Sequence, residues 1–167
     1  MATFSLNALK ERIQTILETA NTTTASNDLS SGMDSRIVRI SKMNPDKVFA
    51  QATKHPSLHI YPENVTMESQ GIAKTQATAK RRTEFNINIA GIYQSFALED
   101  IEEDKAQKNL EIMMSNLESV LRDSPTLTDY TGVLYQIPTG IQYGIGGLDE
   151  DCYFRIGVLS LKVVTLY

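Results

Sequence analysis

The sequence predicts one α+β domain: a mostly antiparallel sheet, helices packed on one side of it, and a protruding β-hairpin arm. Two observations carry the prediction. Residues 6–20 and 101–122 space their apolar side chains at helical intervals, and residues 83–96 alternate with a period of two. Strand-like segments outnumber possible crossovers and cluster as hairpins, which favours antiparallel pairing over a parallel α/β arrangement. At 167 residues, 41% of them hydrophobic, the chain is long enough for one sizeable core.

Leu6, Leu9, Ile13, Ile16, Leu17 and Ala20 form one stripe, and Ser5 or Asn7 can cap the helix they define. Asn21 to Ser35 is rich in Thr, Ser, Asn and Asp and reads as a flexible connector. Its length fits either an ordinary surface loop or a partner contact. Arg36 to Met43 alternates loosely, Asn44-Pro45-Asp46 marks a turn, and Val48 to Lys54 is a short strand able to pair back. Ser57 to Tyr61, flanked by Pro56 and Pro62, suits another short strand.

Asn64 to Arg82 then forms a polar arm that few large apolar residues interrupt. It runs into a half-buried strand with Phe85, Ile87 and Ile89 on one face and Glu84, Asn86 and Asn88 on the other. The helix over 101–122 carries Ala106, Leu110, Met113, Leu117 and Val120 or Leu121 on its stripe, with Asp100 and Glu103 at capping-box spacing. Arg122 complements its C-terminal dipole and Pro125 halts it. Val133 to Tyr143 reads as a strand kinked at Pro138-Thr139-Gly140, residues 144–150 as a turn, and Cys152 to Tyr167 as a long final strand. That last strand is apolar on both faces near its end, which places it centrally in the sheet.

Catalytic and metal chemistry find little support. His55 and His59 have a helical ligand spacing, but Pro56 and the extended flanks would separate them by roughly 13 Å along a strand. Nothing matches a nucleophile elbow. Cys152, the only cysteine, follows Asp149-Glu150-Asp151, which would raise its thiol pKa and disfavour the thiolate. Gly144-Ile145-Gly146-Gly147 lacks the lysine and helix start of a phosphate loop. No metal, no cofactor and no enzymatic activity are therefore expected. A lone cysteine excludes an intrachain disulfide and suits a reducing compartment. No basic-then-apolar leader opens the chain, and no apolar run nears the ~20 residues that cross a bilayer, so no membrane association is expected.

Two charge clusters remain. Glu99, Asp100, Glu102, Glu103 and Asp104 crowd one helix start, more acid than its dipole requires. Lys74, Lys80, Arg81 and Arg82 make the arm basic in a chain of net charge −4. These cations could guard an exposed strand edge, meet phosphate, or pair with a neighbouring subunit. No aromatic residue interleaves with them, which argues against stacking on single-stranded nucleic acid. The reading carried forward is contact between Lys80, Arg81 and Arg82 of one subunit and Asp100, Glu102 and Glu103 of the next, with Lys74 a further candidate for subunit or partner contact.

In the order and character of its elements the chain resembles the tail-terminator (tail-completion) neck proteins of tailed bacteriophages. The segments that carry the resemblance are Leu6–Ala20, the arm Asn64–Arg82 with its strand Thr83–Phe96, the helix Ile101–Arg122, and the ending Phe154 to Val163. The resemblance implies a structural virion protein, assembled in the host cytoplasm as a homohexameric ring. Such a ring ends the tail tube, contacts the tail tube protein and the head–tail connector protein, and passes DNA through its lumen. Another head-side neck component, a connector or stopper, has a similar layout. A small ligand-binding domain or enzyme is the reading of a different class, and the arm separates them: a ring protein needs it, a monomeric enzyme does not.

Overall fold

A computed structural model describes residues 5–22, 29–33, 38–42, 56–69, 81–95, 100–144, 146–149 and 152–166. The elements run α1 (Leu6–Thr22), β1 (Arg39–Ser41), β2 (Ser57–Ser69), β3 (Arg81–Ser95), α2 (Asp100–Arg122), β4 (Val133–Tyr143), β5 (Gly147–Asp149) and β6 (Cys152–Leu166). They build a six-stranded sheet of order β1-β2-β3-β6-β4, with β5 also on β6. Every pairing is antiparallel except β1 with β2. The fold is α+β, as the sequence predicts.

Ser5 caps α1, its Oγ accepting from the Ala8 amide at 3.1 Å. Leu9, Ile13 and Leu17 are fully buried from α1, and Ala106, Leu110, Met113, Met114, Leu117 and Leu121 from α2. They share one core with Leu58 and Ile60 of β2, Phe85, Ile87 and Ile89 of β3, and Leu159, Leu161 and Val163 of β6. Both helices therefore lie on one side of the sheet. α2 lies over Gly91 and its cross-strand partner Gly157, with Met114 beside both. A Cβ on Gly91 would stand 2.5 Å from Met114 Sδ and 2.9 Å from Met113 Cε, so a side chain there would push α2 away.

β6 is central as expected, between β3 and β4. Register shifts at Pro138/Gly140 and Val133/Tyr135 put irregularity into β4, the first at the expected kink.

Four expectations change. The loosely alternating segment supplies only β1, which pairs in parallel with β2; Val48 to Lys54 lies outside the described residues. Residues 147–149 are strand, because the chain returns immediately on β6 with Asp149 opposite Cys152. The connector is not free throughout: Leu29 is fully buried, and Asn116 Nδ2 donates to the carbonyls of Leu29 at 3.2 Å and Ser31 at 2.9 Å. The described part of the arm lies within the sheet, Asn64–Ser69 pairing with Arg81–Asn86, and β3 is backed there by β6.

Candidate interaction surfaces

The β-strand period places Ser57, His59, Tyr61, Asn64 and Thr66 on the sheet face away from the helices. In register with them stand Glu84, Asn86, Asn88, Ala90 and Ile92 of β3, then Val158, Ser160, Lys162 and Val164 of β6. This far face is polar where β2 is long. Asn86 Nδ2 donates to Asn64 Oδ1 at 2.5 Å, and Ser160 Oγ donates to Asn88 Oδ1 at 3.0 Å. Glu84 holds both Lys162 (2.7 Å) and Arg82 (3.0 Å). The Lys162 hydrogen bond keeps the Glu84 carboxyl below the usual carboxylate range.

That ion cluster decides where one predicted site residue goes. Arg82 is engaged within its own chain by Glu84, two residues along the same strand face. Arg81 extends β3 opposite Ser69, and Asp100, Glu102 and Glu103 form the first turn of α2; of these only the backbone is described. Lys74 and Lys80 lie outside the described residues. No contact between the basic and acidic clusters within one chain is present among the described side chains.

Toward the other end of the far face the surroundings are apolar. His59 is buried beside Ala90 and Ile92, its Nε2 2.9 Å from the Ser57 hydroxyl and its Nδ1 without a partner. Burial pushes its pKa down, so the ring is neutral. A serine and a histidine at that distance form only two parts of a nucleophilic triad; no carboxylate orients the imidazole among the described residues. His55 lies outside them. Among the described residues no three His, Cys, Asp or Glu side chains cluster to hold a metal, and no helix is long and apolar enough to cross a membrane.

The edges of the sheet are different. Among the described residues six large apolar side chains are exposed: Val65, Met67, Leu134, Tyr135, Ile137 and Tyr143. All six lie on β2 and β4, at opposite sides of the sheet. Beyond the three residues that β1 covers, β2 continues as a strand whose residues 62–67 are all exposed, on both faces. β4 carries no charged residue in its 11 positions. Natural edge strands commonly carry charge to discourage pairing. Here the backbone is blunted in another way. The Gln136 amide donates to the Pro125 carbonyl at 2.7 Å, and Pro138 has no amide hydrogen.

Sequence reasoning missed β4 as a surface. The signal was present, because an 11-residue strand with no charge stands out in a chain that is 22% charged. Among the described residues β4 has one neighbour, and much of it is exposed. No protein-family model matches the chain, and no curated protein is similar to it in sequence.

Proposed function

We propose that this chain is a structural subunit of a tailed-phage neck, a tail terminator that closes into a hexameric ring on the finished tail tube and offers its other side to the head connector. One observation carries the reading. The exposed large apolar side chains sit on two opposite strands of one sheet, β2 and β4. A chain with two different apolar edges is suited to head-to-tail contacts, which close into rings when the rotation per subunit permits. The resemblance in element order supplies the biological setting.

The test has two stages. Purified protein should run as a particle of about six chain masses, each 18.6 kDa, and images should show annuli. Added to polymerising tail tube protein, these rings should cap tube ends and stop elongation. A monomer at all concentrations, or rings that leave elongation unchanged, would remove the terminator reading. Capture of the head connector but not the tube would favour the head-side neck component.

A further inference from the structure

We draw no further inference here: the strongest candidate, the patches of exposed apolar side chains on β2 and β4, carries none because nothing in the structure shows what covers them.

Discussion

Gly91→Ala tests how closely α2 is seated on the sheet. The added methyl would lie 2.5 Å from Met114 Sδ, 2.9 Å from Met113 Cε and 3.4 Å from Leu58 Cδ2. All three side chains are fully buried, so none can swing into solvent. Overpacking of this kind costs about 1–3 kcal/mol. Against it stand about 0.5–1 kcal/mol for removing a glycine from a strand and about 0.8 kcal/mol for one buried methyl. If the steric term dominates, the net loss is about 1 kcal/mol, which lowers Tm by about 2–4 °C in a chain this long. Urea unfolding followed by circular dichroism, at fixed protein concentration, measures it. Gly157→Ala meets Met114 Cγ at 3.1 Å, a milder approach, and should cost less. Met114→Ala should relieve the clash, so the double variant with Gly91→Ala is more stable than the two separate losses predict. An unchanged or raised midpoint for Gly91→Ala, with additive behaviour in the cycle, would refute the close seating of the helix.

Other outcomes follow from the turn after α2 and from buried polar groups. Leu127, Thr128 and Asp129 all have positive φ, at 52°, 58° and 56°, and Arg12 clamps the turn by donating to the carbonyls of Leu127 and Thr128, each at 2.9 Å. A β-branched residue is ill suited to that conformation, so Thr128→Asn should stabilise by about 0.5–1 kcal/mol, while Arg12→Met should cost about 1–2 kcal/mol in the same urea assay. Gln136 Nε2 donates to the carbonyls of Leu121 and Ser124 at the end of α2, which also accept from the Ser124 and Leu127 amides, so Gln136→Leu removes a second bond from each and should cost about 0.5–1.5 kcal/mol in urea unfolding. For His59 the folded pKa is depressed, so the unfolded chain binds the extra proton. Stability from this group is complete above about pH 6.5 and declines as pH falls below it. A His59→Gln variant should lose that slope below about pH 6.5, and an unchanged slope in its pH–stability profile would assign the dependence elsewhere.

Long elements with a regular period were legible from the chain alone. α1, α2, β3 and the central position of β6 follow from where apolar residues recur, because each periodicity is a local consequence of one buried face. Three-residue strands hold too few positions to show a period, so β5 went unread and β1 showed only as the loose alternation of Arg36 to Met43. Parallel pairing of β1 is a tertiary outcome that no local signal encodes. Asn64 to Ser69 read as arm because a strand exposed on both faces has no apolar alternation. The turn at 127–129 has no glycine to announce it; Arg12, far away in sequence, supports it. Of the candidate site, the charges were visible but their destinations were not. Glu84 and Lys162 meet only through register, although Arg82 and Glu84, two apart on one strand, could have been paired from the period of two.

The position of β6 also governs how the chain matures on the ribosome. β3, β4 and β5 all take β6 as a partner, and β3 is matched to it from Arg82↔Leu166 to Ser95↔Tyr153. During translation β3 is complete long before any residue of β6 exists. Until then the edge of β3 that β6 will cover, and the part of α2 that packs on β6, lack their partners, and the nascent chain offers an open strand edge to its neighbours on a polysome. Sheet completion is thus a late, long-range event, slow by topology. A chain that has not yet made β6 lacks the strand on which β3, β4 and β5 all pair, so its sheet cannot close.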